Sequence, residues 1–382
     1  MIDYIYISDN AALKEAVNTL TCTEAVAVDL EADSMYHYQE RVCLIQMAQN
    51  GRVWVIDPLK VDNMAPLATV FGDESIEKIF HGADYDIRSL YRDFRIEISN
   101  LFDTELASRF LGISQTGLGN VLASRFNIHV EKKYQKKDWS KRPLPPDMIA
   151  YAAGDVLYLH ALSDLLKAEL IDAGRDQWVR EECRLLTRVR PAEMNHNPLF
   201  WRFSGAGRLD RRSLAVLEAV LKVRNQIAKK KDRPVFKIMS SRAVLRLAVE
   251  KPVTLSDLKE SKVLSEKQIA MYAGDLLSAV NNAMDLSLED LPVYPKKKKQ
   301  PSDPQIARRI KALRTRREAI AHSLKMPAGQ LINNSQLSVI ATVNPENKAA
   351  LSHINGIKAW QVEAFGGELI SALNPGKKKY KG

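Results

Sequence analysis

Short alternating apolar runs open the chain, and longer periodic stretches close it. YIYIS (4–8) predicts a short strand, with Ser8 placed to cap a helix running to about Leu20. AVAVDLE (25–31) predicts a second strand. CLIQMA (43–48) and VWVID (53–57) predict two more, joined through Gln49, Asn50 and Gly51. Asn-Gly between two apolar runs is a hairpin signal. EKIFH (77–81) predicts a further strand, followed by a helix over DYDIRSLYRDF. Beyond about residue 104 the pattern is mostly helical. Strands followed by helices indicate an α/β or α+β domain, expected to close near residue 190, around Pro191.

The helical remainder repeats. Val223-Arg-Asn-Gln-Ile-Ala228 aligns with Arg316-Arg-Glu-Ala-Ile-Ala321, an offset of 93 residues. The same offset pairs Pro234 with Pro327, Leu247-Ala248 with Ile340-Ala341, and Gly274 with Gly367. That period is too long for a solenoid unit. It predicts two copies of one small helical domain, over 205–290 and 305–374. Between them, LPVYPKKKKQPSDP (291–304) predicts an extended charged linker. The residues 375–382 predict a basic tail.

The chain has 382 residues, 46% of them hydrophobic, which suits two or three globular domains. No run approaches the ~18 apolar residues of a membrane helix. The N-terminus shows no basic region followed by an apolar stretch, and Cys22, Cys43 and Cys183 lie far apart. A cytoplasmic protein of a reducing compartment, with no membrane contact, is expected. The net charge of +10 is uneven. Residues 293–382 hold 17 Lys/Arg against 5 Asp/Glu, a net of +12, so the first 292 residues sum to −2. A near-neutral front and a basic back suggest a catalytic part joined to one that meets polyanion.

Three carboxylate motifs stand out. Asp29-Leu30-Glu31 ends a strand, and residues two apart share a face, so both carboxylates lie on the side of Ala25 and Ala27. His81-Gly-Ala-Asp-Tyr85-Asp86 spans a strand-to-helix turn and sets Asp86 in the first helical turn. Tyr151-Ala-Ala-Gly-Asp155 lies in a helix starting after Pro145-Pro146, and its Tyr and Asp stack four apart on one face. Each motif alone is as well explained by a strand end, a helix cap or an amphipathic helix.

In this order, D-x-E, H-x-x-x-Y-D and Y-x-x-x-D resemble the DEDD exonuclease superfamily in its tyrosine subclass. The histidine subclass would place His where Ala150 stands. LIQMA (44–48), FDTELASRFLG (102–112) and DWSKRPLPPDMIAYAAGDVLYL (138–159) resemble the ribonuclease D family more narrowly. The helical copies resemble HRDC domains, the second less closely than the first. The resemblance covers nearly the whole chain and departs at Leu30, where the family often has Thr.

The resemblance implies a ribonuclease H-like α/β exonuclease domain with a mixed sheet, over 1–190, followed by two all-α HRDC-like domains. It implies a 3′→5′ exoribonuclease that releases nucleoside 5′-monophosphates from single-stranded 3′ ends, with tRNA precursors among its substrates; nothing in the sequence demands oligomerisation, so a monomer is expected. Asp29, Glu31, Asp86 and Asp155 would hold two divalent ions, and an all-oxygen ligand set suits Mg²⁺ or Mn²⁺ rather than zinc. Tyr151, with an ordinary pKa of ~10, would orient the nucleophile rather than act as a base.

Secondary candidates are weaker. Asp84 and Asp103 read as helix caps, and Asp33 as solvated. Gln46 is placed to reach substrate, and Trp139 and Arg142 to stack on a base or hold a phosphate. His81 reads as a packing histidine or a substrate contact. Lys229, Lys230 and Lys231 form a dense basic loop in the first helical copy, and Arg314 and Arg317 load a helix of the second. Phosphate contacts by these groups compete with a reading in which the copies dock onto the catalytic domain or onto proteins. Two further functions compete: a DNA exonuclease using the same ions, and a non-catalytic RNA-binding protein.

Overall fold

The computed structural model describes residues 2–192, 197–295 and 303–374. The linker lysines at 296–299 and the tail at 375–382 lie outside the described residues. The chain forms two compact units: residues 1–32, 42–191 and 300–382 in one, residues 33–41 and 192–299 in the other.

The first unit is built on a six-stranded sheet. Its strands are β1 (Ile5–Ile7), β2 (Ala25–Ala32), β3 (Val42–Gln49), β4 (Arg52–Ile56), β5 (Glu77–Phe80) and β6 (Leu101–Asp103), in the spatial order β1-β4-β3-β2-β5-β6. β3 runs antiparallel to β2 and β4, and the remaining pairs are parallel, so the sheet is mixed. The apolar run of β3 is buried on both faces, as central strands require. Asn50 (φ 49°) and Gly51 (φ 77°) turn the β3–β4 hairpin with two consecutive left-handed residues, the geometry that Asn-Gly favours.

Eight helices flank the sheet: α1 (Asn10–Leu20), α2 (Leu67–Gly72), α3 (Asp84–Phe94), α4 (Thr104–Phe110), α5 (Leu118–Phe126), α6 (Pro146–Leu157), α7 (Leu159–Asp172) and α8 (Asp176–Leu186). Asp9, not Ser8, caps α1, accepting from the amides of Ala11 and Ala12 at 3.0 and 2.9 Å. A carboxylate supplies charge as well as an acceptor at a helix N-terminus. β6 has three residues and no alternation to betray it. It forms through pairing with β5, Ile79 lying opposite Phe102.

The repeat is confirmed helix by helix. α9 (Arg211–Lys230), α10 (Val235–Ile238), α11 (Ser241–Glu250), α12 (Leu255–Glu260) and α13 (Glu266–Met284) form the first copy. α14 (Pro304–Leu324), α15 (Ala328–Leu331), α16 (Asn334–Val343), α17 (Lys348–Ser352) and α18 (Ala359–Leu373) form the second. Each helix of the second copy starts 93 residues after its counterpart, as 304 follows 211 and 359 follows 266. The first copy has its own core, which reaches back to Phe200 and on to Leu291. The segment 33–41 joins it: His37 Nδ1 lies 2.7 Å from Asp232, and Lys237 sits over the Tyr36 ring at 4.2 Å.

The second copy shares one continuous core with the sheet domain. Trp360 stacks on Trp178 with centroids 5.1 Å apart and meets Phe110 edge-on at 5.3 Å. Glu181 accepts from the amides of Ala359 and Trp360, both at 2.8 Å, so α8 caps α18 from outside. Glu182 accepts from Trp360 Nε1 at 2.8 Å and pairs with Lys358. Arg175 bridges the carbonyls of Phe110 and Leu324. Trp360→Ala is expected to destabilise the chain by ~3–5 kcal/mol, as loss of a buried tryptophan does. Urea unfolding of the full chain checks this, and an unchanged midpoint would mean that the second copy is not held by this seat.

Candidate active site

β2 carries Asp29 and Glu31 to one face of the sheet. Asp29 lies opposite Gln46, and Glu31 opposite Leu44, before the register shifts between Glu31 and Ala32. β5 runs parallel to β2 and hands over to α3 through His81 and Gly82. Gly82 (φ +84°) takes the left-handed backbone conformation that favours glycine. Asp103 fixes this turn. Its carboxylate accepts from Gly82 and Ala83 amides at 2.9 Å each, and also caps α4 through the amides of Glu105 and Leu106. Asp86 thereby enters the first turn of α3 and is buried. Asp84, expected as a cap, instead pairs with Arg88 at 2.7 Å, four residues along the same helix.

α6 begins with Pro146 in its first turn and packs across β2, β3 and β4. Ala152, Ala153 and Val156 face the sheet, and Tyr151 and Asp155 project together toward β2. Ligand oxygens of Asp29, Glu31 and Asp155 all lie within 4.8 Å of one another. Asp86 stands outside that trio but within its field, raising the pKa of Glu31 and itself raised by Asp29. A cavity of about 320 Å³ opens over the trio, walled by His81, Tyr151, Asn120, Lys132 and Gln135.

The electrostatics single this cavity out. Burial and then mutual repulsion push Glu31 and Asp86 well above the usual carboxylate range. Burial pushes Asp29 up to about 6. Asp155 is pushed up to about 8 by burial and by Asp29, opposed by a hydrogen bond from Tyr151. No lysine or arginine offsets any of the four. Hard oxygen donors crowded without a protein cation fit a divalent metal ion. Burial and the same carboxylates hold the Tyr151 hydroxyl far above its ordinary value, so it stays protonated and donates. Gln135 bonds that hydroxyl, while Tyr134 and Trp139 flank the ring at 5.6 and 6.3 Å.

Several secondary expectations are overturned. Trp139 is 1% exposed and wedges behind Tyr151, out of reach of a base. Arg142 is committed to Asp57 through Nε (2.6 Å) and Nη2 (2.7 Å), and to the carbonyl of Cys43 (2.8 Å). Gln46 is fully buried opposite Asp29, and its side-chain amide has no hydrogen-bond partner among the described residues. Arg317 is buried, donating to the Ile332 carbonyl and Asn334 at 3.0 Å each. Asp33 is buried rather than solvated and accepts from the Arg41 amide at 2.6 Å. Lys229 and Lys230 occupy the last turn of α9 rather than a loop, and Lys231 reaches the Tyr272 hydroxyl at 3.0 Å. Arg314 stays exposed. His81 lines the cavity with Nδ1 2.9 Å from Thr104 Oγ1. Sequence reasoning missed Asn120, Lys132 and Gln135. The lysine-rich stretch 132–141 was the available signal, but only the fold shows which of its residues turn inward.

Residues 4–171 match the 3′–5′ exonuclease family, and residues 213–280 and 307–373 each match the HRDC domain. The chain therefore carries a 3′–5′ exonuclease domain followed by two HRDC domains. In that domain order it is similar to ribonuclease D. It is 28% identical to ribonuclease D of Haemophilus influenzae, over 80% of this chain and 77% of that one. It is 27% identical to that of Bartonella henselae, over 94% and 87%. The catalytic core of RRP6 from Trypanosoma brucei superposes with a TM-score of 0.65 at 29% identity, covering 75% of this chain and 82% of that one. RNase D of Escherichia coli shares the fold, with a TM-score of 0.75 at 24% identity, over 98% and 100%. No helix among the described residues is long and apolar enough to cross a membrane.

The raised carboxylates carry a stability consequence. Asp155 ionises near pH 8 in the folded chain and at ~4 when unfolded. Its contribution is intact below pH ~4 and is lost as pH rises through 8. In EDTA the melting temperature is expected to fall between pH 5 and pH 8.5. Asp155→Asn is expected to raise the metal-free melting temperature at pH 8 by roughly 3–6 °C, equivalent to ~1–2 kcal/mol of relieved repulsion. Thermal denaturation of both proteins reads this, and a variant melting below the parent at pH 8 would contradict it.

Proposed function

We propose that this chain is a metal-dependent 3′→5′ exoribonuclease in which Asp29, Glu31, Asp86 and Asp155 hold two Mg²⁺ or Mn²⁺ ions. The observation that carries it is the trio Asp29, Glu31 and Asp155, with ligand oxygens within 4.8 Å of one another and their charged forms disfavoured by burial and mutual repulsion. Bound there, two divalent ions would activate the attacking water and stabilise the charge developing on the leaving 3′ oxygen. The chain's residues do the rest. Tyr151, kept protonated, donates a hydrogen bond that orients the nucleophile or a phosphate oxygen. Gln135, Tyr134 and Trp139 hold that hydroxyl in place. Lys132 and Asn120, which line the same cavity, are available to the terminal phosphate and sugar.

RNA is favoured over DNA because the relatives similar over most of this chain are ribonucleases D. The substrate is read as the single-stranded 3′ end of structured RNAs, with tRNA precursors among them, and the enzyme as a monomer. The products are nucleoside 5′-monophosphates.

With 5′-labelled RNA and DNA oligonucleotides and Mg²⁺, a ladder shortening from the 3′ end is expected on RNA only. DNA shortened at a comparable rate would favour a DNA exonuclease, and binding without shortening a non-catalytic protein. Chelation should abolish the ladder. Asp155→Ala is expected to leave almost no activity, and Tyr151→Phe to lose roughly a hundredfold in kcat, the scale of one lost transition-state donor. Parent-like activity in Asp155→Ala would remove the assignment.

A further inference from the structure

A second cavity of the first unit, about 510 Å³, is distinct from the carboxylate site. It opens at the other end of the same strands. Glu77 at the start of β5 and Leu101 at the start of β6 border it, whereas His81 at the far end of β5 borders the active site. The four residues of β5 alone separate the two ends by ~13 Å. A ligand here is therefore not the nucleotide being cleaved.

α8 forms one wall, and its three faces have separate tasks. Val179 and Cys183 are buried in the core. Trp178, Glu181 and Glu182 seat the second helical copy. Arg180 and Arg184, one turn apart, with Arg188 a further four residues on, face the cavity. Two cavity cations are already paired: Lys167 with Glu77, and Arg180 with Asp176 at 3.8 Å. Arg184 and Arg188 are exposed, and among the described residues neither has a carboxylate within ion-pair distance. Opposite them the floor is apolar, with Leu101, Leu170 and a 62% exposed Ile171. Asn100 donates its amide to the Glu74 carbonyl at 2.9 Å, which leaves its own carbonyl oxygen for a ligand.

We infer that this cavity binds the phosphate of a nucleotide unit, on Arg184 and Arg188, with sugar and base over the Leu101 and Ile171 floor. Paired guanidinium groups match phosphate geometry, and an apolar ledge beside them suits a nucleoside better than inorganic anion alone. The phosphate has two sources: the body of an RNA whose 3′ end lies in the active site, or a free nucleoside 5′-monophosphate. The first source rests on the exoribonuclease reading, and the second does not.

The test is the double variant Arg184→Gln/Arg188→Gln. Both side chains are exposed, so its melting temperature should equal the parent's. Three readings are taken on each protein. They are the Kd for a 20-nucleotide RNA in EDTA by fluorescence anisotropy, the hydrolysis of a dinucleotide with Mg²⁺, and the binding of adenosine 5′-monophosphate by calorimetry. If the RNA body is the source, the Kd for the 20-mer rises roughly tenfold at 150 mM salt. Its salt slope then falls by ~1.4, for two lost single-strand phosphate contacts. Dinucleotide hydrolysis is unchanged. If the free nucleotide is the source, only monophosphate binding weakens. Both RNA and monophosphate binding unchanged in the variant would overturn the site. A parent that binds the 20-mer through these arginines but hydrolyses nothing would overturn the exonuclease reading and leave this one standing.

Discussion

The fold is organised around an unfavourable arrangement: carboxylates held together with no protein cation among them. Buried like charges raise one another's pKa and destabilise the metal-free chain, so rigid elements must hold them. Two devices do so. Asp103 accepts four backbone amides and fixes the turn that delivers Asp86. Asp57 gathers the Tyr6 hydroxyl (2.5 Å) and the Arg142 guanidinium, tying the segment that leads into α6 to β1 and β4. Arg142 and Trp139 thus brace the segment that leads to Tyr151 and Asp155.

The two helical copies show one backbone put to two uses. Their helices start at a constant offset, yet the first copy keeps a core of its own and the second merges with the sheet domain. Corresponding surface positions differ where it matters. Trp360 and Phe365 stand where the first copy has Lys267 and Tyr272, and Lys358 stands where it has Ser265. Trp360 and Lys358, set against Trp178 and Glu182 of α8, hold the second copy to the catalytic domain. The basic residues of the second copy's first helix, α14, therefore sit on a body fixed to the exonuclease domain.

α8 joins these themes. A helix of eleven residues contacts the core, the second copy and a separate basic cavity, each through residues three or four apart. The repeat of 3.6 residues makes such division possible, and it ties the seating of the second copy to the shape of that cavity.

Much of this protein was legible in its sequence, because the signals were local. Alternation placed β2 and the shared face of Asp29 and Glu31, Asn50-Gly51 marked the hairpin, and a helical spacing of four paired Tyr151 with Asp155. The 93-residue offset gave the repeat, since identical local patterns fold into identical helices. What only the tertiary structure decided is which side chains face solvent and which meet across distance. Arg142 and Arg317 are charged residues whose burial rests on partners the sequence does not mark, Asp57 and Asn334. β6 exists only through pairing with β5. The seat of the second copy rests on Trp178 and Trp360, separated by 182 residues, and no periodicity within either segment carries information about the other.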